Sequence, residues 1–304
     1  MALKGRGRGY TRVRHLVEVV LGAVYEGDWA AQRPFAHTFC ERRDLNLQVA
    51  GLPREFGPLR IGFASDLHAG PTTATRTLEQ AFAHLRAFQP HLLLLGGDYV
   101  LFEARYIERV APLIASVEAP LGRFAVLGNH DLWADDAVIQ ASLESAGVEF
   151  IINRTVRPLP FLSLGGLDDA WTGRPDYDAA FRDPADVHVL LMHSPDHVPS
   201  LGARPFDVAL CGHTHGGHIS YPTGAPILMT SAVSKRYPSG RFELAGGPLF
   251  VSRGVGNVEV PLRAFAPPDV LCVTLTPSPP SPPSPPSPPS PPSPPSPQPS
   301  PRRR

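Results

Sequence analysis

Five short segments combine Asp, Asn and His with glycine in a pattern suited to holding metal ions. They are Ser65-Asp66-Leu67-His68, Gly96-Gly97-Asp98-Tyr99, Gly128-Asn129-His130-Asp131, His193, and Gly212-His213-Thr214-His215-Gly216-Gly217. Carboxylate, imidazole and amide oxygen together suit borderline-to-hard divalent ions such as Mn, Fe, Zn or Ni. Two such ions held close together need a shared ligand, and a carboxylate in the middle of the set can bridge them. A pair of this kind activates water for attack on phosphorus and offsets the charge that builds up there. Each segment follows a short apolar run: Leu59 to Ala64, Leu92 to Leu95, Phe124 to Leu127, Val187 to Met192 and Val208 to Cys211. Strand ends are where ligand sites form in open α/β sheets. One such motif alone usually marks a turn, but five in this order point to one site. His213 and His215 can both aim into it only if the loop turns, which Gly212 and Gly216 permit. No serine or cysteine nucleophile is required.

This ordered set resembles the calcineurin-like metallophosphoesterase superfamily, whose pattern runs Asp-x-His, Gly-Asp, Gly-Asn-His-Asp/Glu, His, Gly-His-x-His. The resemblance spans roughly Leu59 to Leu275. Gly166-Leu167-Asp168-Asp169, His193-Ser194-Pro195-Asp196 and the run Val251 to Gly256, followed by Pro261, narrow it. They are similar to a bacterial branch of YkuE- and YaeI-type phosphodiesterases, itself similar to the pyrophosphatases of UDP-2,3-diacylglucosamine in lipid A synthesis. The resemblance implies an α/β fold, a four-layer α/β/β/α sandwich of two mixed sheets. It also implies two divalent metal ions (Mn, Fe, Zn or Ni) and hydrolysis of a phosphodiester or pyrophosphate bond. Carried over residue by residue, Asp66, His68, Asp98 and His215 hold one ion; Asp98, Asn129, His193 and His213 hold the other. His130 is left without an ion, placed to donate a proton to the leaving group or to hold a phosphate oxygen. Asp131 is then expected to orient His130. His218 departs from the family pattern, which has glutamine there. His218, Asp169 and Arg253 are candidate substrate contacts, Arg253 through bidentate pairing with phosphate. Alternatives are a general phosphodiesterase or nucleotide phosphatase, and a non-catalytic scaffold of the same fold. The filled ligand positions argue against the scaffold.

The elements that must position these groups are legible in the hydrophobic periodicity. In the first half, strands alternate with helices expected from Leu78 to Phe88, Ile107 to Ile114 and Ala137 to Leu143, which reads as βαβ units. The second half is richer in strands, adding Phe161 to Leu164, Leu249 to Ser252 and Val270 to Leu275. Two facing sheets with helices outside fit this better than one open sheet. Three parts follow: 1–58, a basic segment and lead-in strand; 59–275, the metallophosphoesterase domain; and 276–304, a Ser-Pro-Pro tail suited to polyproline II.

Composition bounds the rest. The 304 residues are 42% hydrophobic and 18% charged, which excludes a charged disordered chain and a membrane bundle. With 28 basic and 28 acidic residues, the chain is no strongly basic nucleic-acid binder, and no specific nucleic-acid partner is expected. Residues 1–15 and 302–304 carry basic residues and no acid, so the neutrality is two basic ends cancelling an acidic body. Cys40, Cys211 and Cys272 form no CxxC pair, which fits buried thiols in the reducing cytoplasm. Leu16 to Val24 is too short to span a bilayer and is interrupted by Glu18. Preceded by Lys4, Arg6, Arg8, Arg12 and Arg14, it suits peripheral contact with an anionic membrane at its inner face. The expected partner is a phosphorylated small molecule or a lipid-linked nucleotide.

Overall fold

The structure is a computed structural model that describes residues 16–17, 19–23, 39–227, 229, 231–259 and 261–279. The basic residues before Leu16 and the Ser-Pro-Pro repeat from residue 280 lie outside the described residues. Residues 16–17 and 19–23 are helical. No helix among the described residues is long and apolar enough to cross a membrane.

Two six-stranded sheets pack face to face. The strands are β1 (Glu41–Val49), β2 (Leu59–Ala64), β3 (Leu92–Leu95), β4 (Arg123–Ala125), β5 (Val148–Phe150), β6 (Arg154–Leu159), β7 (Leu162–Gly166), β8 (Val187–Leu191), β9 (Val208–Cys211), β10 (Gly240–Leu244), β11 (Gly247–Val251) and β12 (Asp269–Pro277). The first sheet runs β1-β12-β2-β3-β4-β5 and the second β10-β11-β9-β8-β7-β6. β2 to β5 are parallel, β12 is antiparallel to β2, and β6 and β10 run antiparallel to their neighbours, so both sheets are mixed.

Three buried layers hold the sandwich together. Leu59, Ile61, Phe63, Leu92 and Leu94 of the first sheet meet Leu162, Leu164, Val187, Val189 and Leu210 of the second. Leu93 and Leu95 point the other way, onto Leu78, Phe82 and Leu85 of the helix Thr75–Phe88 and Ile139 and Leu143 of the helix Asp136–Ser145. β3 is thus buried on both faces, which is why its four residues are all leucine. Leu190, Ala209 and Leu249 face outward onto Ala180 and Leu201 of two short helices. The helix expected from Ile107 to Ile114 is divided into a 3-10 helix, Ala104–Arg109, and a short α-helix, Ala111–Ala115. Pro112, which has no N–H to donate, sits at the start of the second piece, where that loss is harmless.

Register fixes two poles. Glu41 pairs with Asp269 and Leu271 with Phe63, so β1 begins beside the end of β2 that leads into Asp66. Leu275 pairs with Leu59 and the Ser278 N–H donates to the Val49 carbonyl at 3.1 Å. The chain therefore leaves toward its Ser-Pro-Pro tail at the opposite pole.

Candidate metal centre

All five motifs emerge at one pole, from the carboxyl ends of β2, β3, β8 and β9 and the loop after β4. The loops there are tightly turned. Asp66, His68, Asp98, His213, His215 and His218 have φ between 40° and 70°, six of the ten described non-glycine residues with positive φ. Side-chain-bearing residues adopt this region only when surrounding contacts over-determine it, and such strain gathers at functional sites. Two glycines make the close packing possible. A Cβ on Gly128 would collide with Asp98 Oδ1, and one on Gly212 with Asp66 Oδ2.

The side chains converge in two groups that share Asp98. His68 Nε2 lies 3.1 Å from His215 Nε2, and Asp66 Oδ1 lies 3.7 Å from the latter. His193 Nε2 lies 3.1 Å from His213 Nδ1 and 3.2 Å from Asn129 Oδ1. Asp98 Oδ2 stands between the groups, 3.6 Å from His68 Nε2 and 3.3 Å from His193 Nε2. Its other oxygen accepts the His130 N–H at 2.8 Å. Asp66 accepts the His213 N–H and so ties the first sheet to the loop of the second. His193 Nδ1 donates to the Gly96 carbonyl at 2.8 Å, which turns its Nε2 toward the centre.

The donor set fits divalent cations. Asp66, His68 and His215; His68, Asp98 and His130; and Asp98, His193 and His213 each bring their ligand atoms within 4.8 Å of one another, all buried. Burial pushes the imidazoles of His68 and His215 well down and that of His213 down to about 3, leaving neutral rings with lone pairs to give. Burial alone would disfavour the Asp98 charge, but His193, His130 and His68 hold its carboxyl well below the usual range. His193 is likewise opposed by burial, yet Asp98 and Asp66 carry it well above its ordinary value. Among the described residues, the buried His68 Nδ1 and His213 Nε2 atoms have no hydrogen-bond partner.

Asp66, His68, Asp98, Asn129, His130, His193, His213 and His215 are brought together, but other candidates have different work. Asp131 does not orient His130. Its oxygens accept the N–H groups of Asp98 at 2.7 Å, Tyr99 at 2.8 Å and Gly128 at 3.0 Å, stapling the β3 loop to the β4 loop. The His130 ring is fixed instead by the Leu101 carbonyl at Nδ1 and by Phe102 and Trp133 at 5.5 and 4.7 Å between ring centroids. Arg253 is engaged within the fold. Its Nε donates to Asp269 Oδ2 at 3.0 Å and its guanidinium also pairs with Glu41, closing the edge of the first sheet. Asp169 caps a turn through Trp171, Thr172 and the Thr172 hydroxyl, while its Oδ1 is buried without a partner. His218 lies beside the centre, its ring 5.8 Å from that of His215.

Two residues near the centre carried no sequence signal. The Trp171 ring lies 4.9 Å from His213 and walls one side. Arg263, 1% exposed, donates to the carbonyls of Arg253, Ala266 and Gly256 and approaches His215 Nδ1 at 3.0 Å. Burial pushes its guanidinium down to about 10, so it stays charged at neutral pH.

Two facing mixed sheets with a buried Asp/His cluster across their strand ends define a metal-dependent phosphoesterase. The chain belongs to the calcineurin-like phosphoesterase family, whose model matches residues 59–217. It is 29% identical over 244 residues to the uncharacterized metallophosphoesterase YkuE of Bacillus subtilis, covering 77% of this chain and 85% of that protein. It is 32% identical over 232 residues to phosphodiesterase YaeI of Escherichia coli, covering 72% and 82%. With the UDP-2,3-diacylglucosamine pyrophosphatase LpxG of Chlamydia trachomatis it shares 27% identity over 282 residues, covering 72% and 85%. These relatives support the bacterial branch.

Proposed function

We propose that the chain cleaves a phosphodiester or pyrophosphate bond at a centre of two divalent ions. Asp66, His68, Asp98 and His215 would hold one ion; Asp98, Asn129, His193 and His213 would hold the other. The observation that carries this is the Asp98 carboxylate between the two imidazole groups, 3.6 Å from one and 3.3 Å from the other. When bound, the ions supply Lewis acidity toward water and phosphoryl oxygen. The chain's own part is orientation. The Gly96 carbonyl sets the tautomer of His193. His130, its Nδ1 occupied by the Leu101 carbonyl, keeps Nε2 for a phosphoryl oxygen or for passing a proton to the leaving group. Asp131 holds the backbone of Asp98 in place from behind.

The favoured substrate is a pyrophosphate-linked nucleotide lipid, a reading supported by the name of the LpxG relative. The name of the YaeI relative supports a second reading, a general phosphodiesterase. Three buried free thiols fit a cytoplasmic protein, and the basic N-terminal residues suit contact with the inner membrane face. The test is a panel of UDP-diacylglucosamine, cyclic nucleotides, a chromogenic diester and phosphomonoesters, assayed after reconstitution with Mn, Fe, Zn or Ni. Preference for the lipid nucleotide supports the first reading and preference for simple diesters the second. No hydrolysis and no bound metal would leave a non-catalytic scaffold.

A further inference from the structure

Nine large apolar side chains are exposed among the described residues, and five of them gather at the metal-centre pole: Phe39, Ile219, Tyr221, Ile227 and Phe265, each between 36% and 59% exposed. Backbone contacts tie the segments that carry Ile219, Tyr221, Ile227 and Phe265 to the metal loop. The Ile227 N–H donates to the Ile219 carbonyl at 3.1 Å, the Ser220 N–H to Ala264 at 2.8 Å, and the Ala264 N–H to His218 at 3.1 Å. Phe39 stands at the same pole just before β1, where the Glu41 N–H donates to the Pro268 carbonyl at 2.8 Å and the Cys40 N–H to Gln80 of the helix Thr75–Phe88 at 3.0 Å. Phe265 holds φ at 54°, a costly conformation for a bulky residue, and is 58% exposed.

Exposed charge near the patch is mixed: Glu259 lies six residues before Phe265, Glu79 adjoins Gln80, which accepts the Cys40 N–H, and two cations follow Ile227 in the chain. Lys235 and Arg236 are exposed on the helix Ala232–Arg236. That helix is fastened to the centre from two sides. Ser231 and Ser234 donate to Asp196, three residues after His193, and the Thr214 hydroxyl donates to the Pro238 carbonyl at 2.5 Å. The one acid at this edge of β1, Glu41, is paired with Arg253. The chain that carries Lys4, Arg6, Arg8, Arg12 and Arg14 also joins the folded body here, at Phe39 and Glu41. Ahead of that junction, Leu16, Val19 and Val20 on a helical segment are exposed as well.

We propose that this pole is a docking face for an anionic lipid bilayer, with Ile219, Tyr221, Ile227, Phe265 and Phe39 entering the headgroup layer and the cations around them meeting lipid phosphate. Apolar side chains rimmed by Lys and Arg are the pattern that binds such surfaces. The proposal rests on the peripheral contact read from the N-terminus and locates it on the folded body. It turns the mouth of the metal centre toward the bilayer, so that a lipid-linked phosphoester reaches Asp98 and His130 without leaving the membrane.

The test uses the full chain and two kinds of vesicle, phosphatidylcholine alone and phosphatidylcholine with phosphatidylglycerol. The parent should sediment with the anionic vesicles. Tyr221→Ser combined with Ile227→Ser should weaken that binding by roughly tenfold or more through lost apolar burial. Phe265→Asn, which suits the left-handed backbone, should weaken it without lowering the melting temperature. Because Cys40, Cys211 and Cys272 are buried, an environment-sensitive dye on Tyr221→Cys or Gln48→Cys reports one pole at a time. Anionic vesicles should blue-shift the dye at 221 and leave that at 48, near Thr276 on the opposite pole, unchanged. A parent that ignores anionic vesicles, patch variants that bind like the parent, or a shift at 48 alone would overturn the docking face. Those results include the case in which the patch serves a protein partner. Hydrolysis of a water-soluble diester by the parent is read separately. Activity without vesicle binding overturns the docking face only, and binding without activity overturns the phosphoesterase reading only.

Discussion

Replacing Asp131 separates a structural role from a chemical one. The carboxylate is fully buried and accepts three backbone N–H groups: Asp98 and Gly128 at Oδ2, Tyr99 at Oδ1. In Asp131→Asn, the amide oxygen can replace Oδ2 and keep two bonds, but the amide nitrogen then faces the Tyr99 N–H. One buried donor is left unpaired against another, which costs about 1–3 kcal/mol. In a domain of this size, a 2 kcal/mol loss lowers the melting temperature by roughly 4–8 °C. Asp131→Ala strands all three donors and should cost on the order of 5 kcal/mol. Because one of the three belongs to Asp98, the bridging carboxylate shifts as well, and metal affinity should fall by about 10- to 100-fold. Urea denaturation of metal-free protein gives the first number and metal titration the second. If Asp131→Asn is as stable and binds metal as tightly as the parent while only its pH–rate profile changes, Asp131 acts on His130 after all and the reasoning fails.

Three further outcomes follow from the same geometry. Asp98→Asn and His213→Ala should each reduce metal-dependent hydrolysis of a p-nitrophenyl phosphodiester at least about a hundredfold with far-UV circular dichroism unchanged; retained activity in the folded variant would remove these residues from the centre. Arg253→Ala should cost about 1–3 kcal/mol, through the lost bonds to Asp269 and Glu41, and leave KM unaltered. A raised KM at unchanged stability would return Arg253 to the substrate. Burial pushes His188 down to about 4 and His197 down to about 3, so both are held neutral in the fold. The unfolded chain takes up those protons below about pH 6.5. Stability is therefore full above that pH and falls as the pH drops toward 4, by up to about 3 kcal/mol for His188 alone. His188→Gln should flatten the urea midpoint between pH 7 and 5, and a parent midpoint already flat across that window would refute the account.

The interior strands were legible because they are short apolar runs buried on both faces. β2, β3 and β9 fall where the runs Leu59 to Ala64, Leu92 to Leu95 and Val208 to Cys211 predict them. No apolar run predicts β5, β6 or β10, and the N-terminal segment predicts β1 only as a lead-in strand. These four are the edges of the two sheets. An edge strand meets solvent and carries charge, as in Glu41, Arg42, Arg43 and Asp44 of β1 and Arg154 and Arg157 of β6, so its pattern is not an apolar run.

The sequence by itself determined the donor types, their order and the strand ends that carry them, because metal chemistry restricts residue type and strand burial leaves a local hydrophobic mark. Only the tertiary structure decided which ring nitrogen faces the centre, and which polar groups serve the fold rather than the substrate. Asp131 finds Asp98 33 residues away, and Arg253 finds Glu41 at a distance of 212 residues. Arg263 reaches His215 across 48 residues. Such pairings leave no local periodicity, since a hydrogen bond selects its partner by position in space. The apolar residues Ile219, Tyr221, Ile227 and Phe265 are equally hidden in the sequence, since only the backbone pairing of the 218–227 and 264–265 segments brings them to the metal loop.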